Sequence, residues 1–275
     1  MPTLARSLVR PAALVVLAVL PAFAPIAEAQ SIWLDRVDAK SIHVEIAKPF
    51  IEGPGDGFFT TSWFVSGRLR LSERLSFVGE FPFATFKLDS SFPPGSSETS
   101  KMIGNPYVGI ESPPPAGGGG WFEIGVRAPL ANEDEPAALT GIATDTERWE
   151  AFLPNVFVAR LAGHWRSDVV GTPGVDLRVA PTLWVSDDLL DEVELWTTYG
   201  AQVLYHGTAA RVGAGLSGRL LVTEEGDFAD RSTHQFEAAG DFLAGKVRPG
   251  ATLRIPLDDS FADVVVGVTL NFLFD

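Results

Sequence analysis

Charged side chains of both signs recur on the polar face of alternating segments, and these groups are the best placed in this sequence to do chemistry. They are Glu45, Arg68, Arg70, Glu80, Glu123, Arg127, Arg160, Asp176, Arg178, Glu194, Arg211, Arg219, Glu237, Asp241, Arg248 and Arg254. Two interpretations are open: Arg–carboxylate pairs that fill a narrow interior, or a charged constriction that selects solutes. We favour pairing, because mixed signs cancel a selective electrostatic field.

A second candidate is the pair Ser232 and His234, which share one face of a predicted strand. The nucleophile and base of an outer-membrane acyl hydrolase would be arranged in this way. The sequence identifies no acid that would orient the histidine, and a single Ser-x-His arises easily by chance. We therefore do not predict an enzyme.

The sequence predicts neither a metal site nor a cofactor. Cysteine is absent, which excludes thiolate ligands. His43 and His164 lack metal-ligand spacing, so we expect them to form hydrogen bonds inside the fold. Acidic residues in predicted external loops could bind divalent cations, although a solvated rim is the simpler interpretation. They are Glu133, Asp134, Glu135, Asp145, Glu147, Asp187, Asp188, Glu224, Glu225, Asp227, Asp258 and Asp259.

The first 29 residues have the order of a secretory signal: Arg6 and Arg10, an apolar stretch over 12–20, and small residues ending in Ala27-Glu28-Ala29. The apolar stretch is about half the roughly 20 residues that a membrane-spanning helix needs. We predict a cleaved signal peptide at 1–29, a short periplasmic segment at 30–40 and a single β domain at 41–275.

Period-two alternation of apolar and polar residues dominates the rest of the chain. It predicts about twelve strands, at 41–50, 58–72, 75–88, 102–111, 121–130, 151–166, 174–185, 192–206, 208–223, 232–245, 246–257 and 261–274. The connections alternate between tight turns and longer segments such as 89–101 and 131–150. Outer-membrane barrels have short periplasmic turns and long external loops of this kind.

Alternation alone fits a soluble β-sandwich as well as a barrel. The signal, the long strands, the asymmetric loops and the charged polar face favour an all-β, transmembrane, antiparallel up-and-down β-barrel. Its apolar face must point outward, because Arg facing lipid near the bilayer midplane costs about 2–4 kcal/mol. The formal net charge of −14 argues against nucleic acid as a partner.

Prolines fall in or next to the predicted strands that run outward, and each removes a donor from the hydrogen-bond ladder. They are Pro49, Pro82, Pro129, Pro181 and Pro256. They either end strand pairing near the outer rim, or kink the wall and open a gap through which an apolar ligand leaves sideways into lipid. An unbroken ladder at all of these positions would exclude the gap.

Two local patterns resemble the outer-membrane family labelled after the meta-cleavage pathway of phenol degradation. The segment 104–111, GNPYVGIE, is similar to that family's G-D-P-x-x-G-x-x strand, with Asn105 in place of the usual Asp. The segment 125–130, GVRAPL, is similar to a strand that ends in proline. The resemblance implies a barrel with a role in the uptake of small hydrophobic compounds, and it implies no catalysis.

The chain end is similar to the C-terminal signal by which such barrels are recognised for insertion, with apolar residues at alternate positions up to an aromatic one. These residues are Val268, Leu270, Phe272 and Phe274, with Asp275 added after the aromatic. The partners we expect are the barrel-assembly machinery, outer-membrane lipid and lipopolysaccharide, and a small solute.

The sequence thus predicts an outer-membrane channel that passively admits a small solute, apolar or aromatic. Two alternatives stay open: a closed barrel with a structural or surface-interaction role, and an outer-membrane lipid acyl hydrolase that uses Ser232.

Overall fold

The computed structural model describes residues 40–51, 60–90, 96–112, 118–132, 136–167, 170–186, 193–243 and 245–274. The predicted signal peptide at 1–29 and the segment 30–39 lie outside the described residues. So do some of the predicted loop carboxylates and the last residue, namely Glu133, Asp134, Glu135, Asp187, Asp188 and Asp275.

The described chain is almost entirely antiparallel β-structure, as the alternation predicts. The strands are β1 (Lys40–Phe50), β2 (Thr61–Ser72), β3 (Leu75–Ser90), β4 (Ser96–Ile103), β5 (Tyr107–Glu111), β6 (Gly119–Arg127), β7 (Phe157–Ser167), β8 (Pro173–Val185), β9 (Glu194–His206), β10 (Ala210–Leu221), β11 (Ser232–Phe242), β12 (Val247–Pro256) and β13 (Val264–Phe274). One α-helix, α1 (Ala137–Thr144), is followed by a 3-10 helix at Thr146–Ala151, and a second 3-10 helix spans Phe228–Arg231. No helix among the described residues is long and apolar enough to cross a membrane.

The sheet closes on itself. The first and last strands pair along their whole length, from Lys40 opposite Phe274 to Phe50 opposite Val264. Strands β4 and β5 both pair with β3 and together act as one strand, interrupted at residues 104–106. The result is a closed antiparallel barrel of 12 strands, which confirms the predicted fold class and strand count.

The outer face of the wall is apolar and the inner face is polar. Along β13, Val266, Val268 and Leu270 are exposed on the outside, whereas Thr269 and Asn271 are buried on the inside. This arrangement is the inverse of a soluble β-sandwich, and it suits a wall surrounded by hydrocarbon. Of the residues in the predicted insertion signal, Val268, Leu270 and Phe274 are exposed and Phe272 is half-buried; their recognition role stays a prediction.

Two predicted loops are wrong. The loop predicted at 89–101 is largely strand, since β3 extends to Ser90 and β4 begins at Ser96. The segment 131–150 was expected outside the barrel, but α1 and the first 3-10 helix lie in its lumen. The neighbouring strands are accordingly shorter than predicted: β6 ends at Arg127 and β7 begins at Phe157. The physical reason is that the acidic residues of this segment find buried arginine partners inside the wall, which a solvated loop would not offer.

The orientation of the wall makes a testable prediction. Val268 is exposed at the middle of β13, whereas Val222 is exposed just beyond the outer end of β10. We expect Val268→Arg to lower the free energy of unfolding in lipid vesicles by about 2–4 kcal/mol, and Val222→Arg by about 0–1 kcal/mol, because the cost depends on depth. Equal effects in urea titrations would contradict the outward assignment.

Candidate functional site: a plug in the lumen

Residues 136–156, which we name the plug, pack against the inner face of the wall. Phe64, Ala84 and Met102 of the wall form a buried apolar cluster with Ala137, Ala151 and Phe152 of the plug. Ser100 of β4 accepts a hydrogen bond from the backbone N–H of Ala137 at 3.1 Å, which satisfies a donor at the start of α1. A Cβ at position 141 would overlap the Phe152 ring, so Gly141 is required for this packing.

Asn105, at the interruption between β4 and β5, binds the chain both before the plug and near the plug's C-terminal end. Its Oδ1 accepts hydrogen bonds from the backbone N–H groups of Leu130 and Ala131, each at 2.7 Å. Its Nδ2 donates to the carbonyls of Glu150 and Leu153, at 2.9 and 2.7 Å. An aspartate could not donate to those two carbonyls, so the asparagine at this position has a structural reason.

Arg148 is the centre of the plug's charge network. Its Nη2 lies 2.6 Å from a carboxylate oxygen of Glu45, and its Nη1 lies 3.2 Å from one of Glu80. Its Nε lies 2.8 Å from Asp145 within the plug. The guanidinium carbon also sits 3.5 Å from the centre of the Phe64 ring. One plug residue thus contacts three wall strands, β1, β2 and β3.

The plug carboxylates contact further strands of the wall. Asp145 lies 3.6 Å from Arg254 of β12, and Glu147 pairs with Arg178 of β8. Glu150 pairs with Arg219 of β10 and Arg160 of β7. Side chains on strands all around the barrel reach the plug, which is possible only if the plug is inside.

The wall charges also pair with one another. Arg127 binds Glu80 at 2.8 Å, and Arg254 binds Glu45 at 2.6 Å and lies 3.6 Å from Glu237. Toward the periplasmic end, the pairs join Arg68 to Glu111, Arg166 to Asp176, Arg211 to Asp241 and Tyr107 to Glu123. Among the predicted lumen residues, Arg248 is half-buried, whereas Arg70 is exposed at the periplasmic end, where its Nε donates to the carbonyl of Ser72.

Burial and neighbouring arginines shift the pKa values of the plug carboxyl groups in opposite directions. Burial alone would raise the pKa of Asp145, but Arg254 and Arg148 hold it below its ordinary value of 3.8. Burial would likewise raise the pKa of Glu150, whereas Arg219, Arg127 and Arg160 lower it. Both carboxylates are therefore stabilised in their charged forms when the plug is docked.

Two of the carboxylates predicted for external loops are thus wrongly placed, since Asp145 and Glu147 are buried in the lumen. Together with Glu237 they bring three carboxylate oxygens within 4.8 Å of one another. Arg254 and Arg178 face this group, and Arg148 also pairs with Asp145. Among the residues predicted for hydrogen bonding, His43 bonds Asn271 at 2.7 Å, and His164 lies 3.4 Å from Asp176.

The Ser232 and His234 pair lies at the outer end of β11. Asp258 lies 3.0 Å from His234 Nδ1 and supplies the orienting acid that the sequence did not identify. However, Nε2 of His234 is bonded to the Tyr199 hydroxyl at 2.7 Å, and the buried Ser232 hydroxyl donates to the carbonyl of Phe228 at 2.6 Å. These contacts do not form a nucleophile–base pair.

Strand pairing is interrupted at some of the five prolines and continues at the others. Between β3 and β4–β5, pairing stops opposite Pro82, and Pro129 lies just beyond the end of β6. Between β7 and β8, pairing is absent at Pro181 but resumes in the same register. Pro49 and Pro256 are paired with Val265 and Gln235. Among the described residues, β4 pairs with β3 alone, and we name its other, unpaired edge the break beside β4.

The fold resembles that of solved outer-membrane barrels. An outer-membrane channel from Pseudomonas putida F1 superposes with a TM-score of 0.58 at 13% sequence identity, over 90% of this chain and 100% of that chain. The β domain of the Bordetella autotransporter BrkA has a TM-score of 0.50 at 10% identity, over 86% of this chain and 100% of that one. No family model and no curated sequence matches the chain. The protein therefore has the fold of outer-membrane β-barrels.

The pKa directions predict an acid-sensitive plug. Because the docked pKa values of Asp145 and Glu150 lie below the ordinary 3.8 and 4.5, their ion pairs stabilise the docked plug above those values. That stabilisation is lost as the pH falls through the lower, docked pKa values.

We expect the near-ultraviolet circular dichroism of the plug residue Trp149 to stay constant from about pH 5 to 7 and to collapse below about pH 4, while the far-ultraviolet strand signal persists. Trp149→Phe identifies the signal. A near-ultraviolet spectrum unchanged down to about pH 2 would contradict the prediction.

Proposed function

We propose that the protein is a passive outer-membrane channel for a small solute, apolar or aromatic, and that the plug closes it. The observation that carries the proposal is that a separate segment, held by ion pairs, hydrogen bonds and apolar contacts, lies in the lumen. A wall built only for structural purposes would be closed by the side chains of its own strands. The supporting comparison is coarse: the solved barrels with this fold include a channel.

The energetics of the contacts support a plug that can leave. Buried ion pairs contribute little net stability, because desolvation offsets their attraction. Undocking would separate the plug from the wall in three apolar clusters, which opposes release. Water entering the lumen can solvate the charges that the plug leaves behind, which favours it.

Conductance in planar bilayers tests the channel. We expect the purified protein to open rarely, Arg148→Met to open more often, and a variant with residues 137–151 replaced by a Gly/Ser linker to conduct continuously. Removing one partner from a buried charge cluster costs about 3–5 kcal/mol, which is enough to undock the plug in the first variant.

The matched control is Arg74→Met, which removes an exposed arginine of the turn between β2 and β3. This variant should have the same conductance as the parent protein. Silence of the linker variant across salt and voltage would overturn the channel proposal and favour the closed structural barrel.

The break beside β4 supports a second route, from the lumen sideways into lipid. Ile103, Leu130 and Leu139 are all about half exposed there or more, at 50%, 61% and 48%. Apolar side chains at a break in the ladder suit an apolar solute. The resemblance to the phenol-pathway family implies uptake of small hydrophobic compounds, and that family assignment is part of the proposal.

We expect Leu130→Asp to reduce uptake of a radiolabelled monoaromatic hydrocarbon by intact cells severalfold, because a carboxylate at the break blocks an apolar solute. Leu257→Asp is the control, since Leu257 is similarly exposed, at 54%, but follows β12 away from the break. If both variants reduce uptake equally, the lateral route is wrong. That outcome would not affect the proposal of a channel along the barrel axis, which the conductance experiment tests.

A further inference from the structure

Two adjacent plug residues, Trp149 and Glu150, dock against a matching set of side chains on the wall. The Glu150 carboxylate lies 3.0 Å from Nη2 of Arg219 and 3.6 Å from Nη1 of Arg160. The Trp149 ring contacts the Trp196 ring edge-on at a centroid distance of 6.5 Å. The rings of Trp184 and Trp196 lie 5.1 Å apart on the same part of the wall.

Arg219 is the centre of this set. Its guanidinium carbon lies 4.9, 4.8 and 5.0 Å from the ring centres of Trp149, Trp184 and Trp196. It is fully buried, at 0% exposure. A guanidinium in such surroundings binds aromatic faces and a carboxylate at the same time.

Around Trp149 and Glu150, the wall has more buried hydrogen-bond donors than the plug has acceptors for them. Nε and Nη1 of Arg219 and Nε1 of Trp184 are buried, and no described residue supplies an acceptor to any of them. Leaving a buried donor unpaired costs roughly 1–3 kcal/mol, so native proteins rarely do so without a reason. A ligand with more acceptor atoms than Glu150 presents here would remove that cost.

The site is also close to the outside. A cavity of about 300 Å³ lies between the plug and the connection from β12 to β13, and Trp149 forms part of its lining. Ile142, Pro256 and Phe261 give the same cavity apolar walls. A small molecule that enters from the external side therefore meets the back of Trp149 before it meets Arg219.

We propose that Arg219, Arg160, Trp184 and Trp196 form a binding site for a small aromatic carboxylate, and that Trp149 and Glu150 of the plug occupy it as an internal ligand. An aromatic carboxylate carries the same two groups, a ring and a carboxylate, in one molecule. It would compete with the plug for the site, so binding and opening would be coupled. The inference rests on the proposed channel function and names the class of its solute.

Binding to purified protein in detergent tests the site without requiring conductance. The probes are phenylacetate, its neutral analogue benzyl alcohol and the cation benzylamine, measured by calorimetry. We expect the double variant Trp149→Ala/Glu150→Ala to bind phenylacetate at least about tenfold more tightly than the parent protein does, because the internal ligand is gone. Adding Arg219→Gln should then weaken binding about tenfold or more, as loss of a charge-assisted hydrogen bond does.

One control variant and one alternative variant complete the binding experiment. Arg74→Gln in the same background is the matched control and should leave phenylacetate binding unchanged. If the double variant does not fold, Glu150→Gln alone removes the carboxylate at nearly constant volume. That variant should also bind phenylacetate more tightly than it binds benzyl alcohol or benzylamine.

Equal binding of phenylacetate, benzyl alcohol and benzylamine, or no loss of binding with Arg219→Gln, would overturn the proposed solute class. A barrel that binds phenylacetate as expected but never conducts would instead overturn the channel function and leave the site standing. The two proposals therefore fail in distinguishable ways.

Discussion

The structure depends on the compensation of charge inside a closed wall. An apolar outer face forces every polar side chain of the alternating strands inward, where it must find a partner or water. Glu45 shows the result, since one carboxylate pairs with Arg148 of the plug and with Arg254 of the wall. The plug follows the same rule, because its carboxylates meet buried arginines of the wall.

Much of the wall could be predicted from the sequence. Alternate residues of a strand point to opposite faces, so Val268 and Thr269 reveal two environments without any knowledge of the fold. The tight turns and the C-terminal pairing partner of β1 follow from strand count and closure. The interruption at residues 104–106 did not follow, because a strand pattern that pauses for three residues still keeps its alternation on either side.

The candidate site was less predictable. Asp145, Glu147 and Glu150 stand in an acidic, polar segment, and such a segment is usually solvated; only the arginines of distant strands make burial favourable. Trp184 and Trp196 were equally ambiguous, because aromatic residues at a membrane interface and in a core look alike in sequence. A signal was available in Arg148, a lone cation beside Trp149 within an acidic stretch, but its meaning requires partners that lie far away in the chain.

Asn105 gives the molecule a hinge-like geometry. A single amide in the wall binds the chain both where it leaves β6 and where it approaches β7, so the intervening residues enter and return at one place on the circumference. If the plug leaves the lumen as proposed, a segment anchored in this way would move as a flap on one side of the barrel. The antiparallel ladder on the other side would carry no share of the movement, and the barrel would keep the same circumference with the flap in either position.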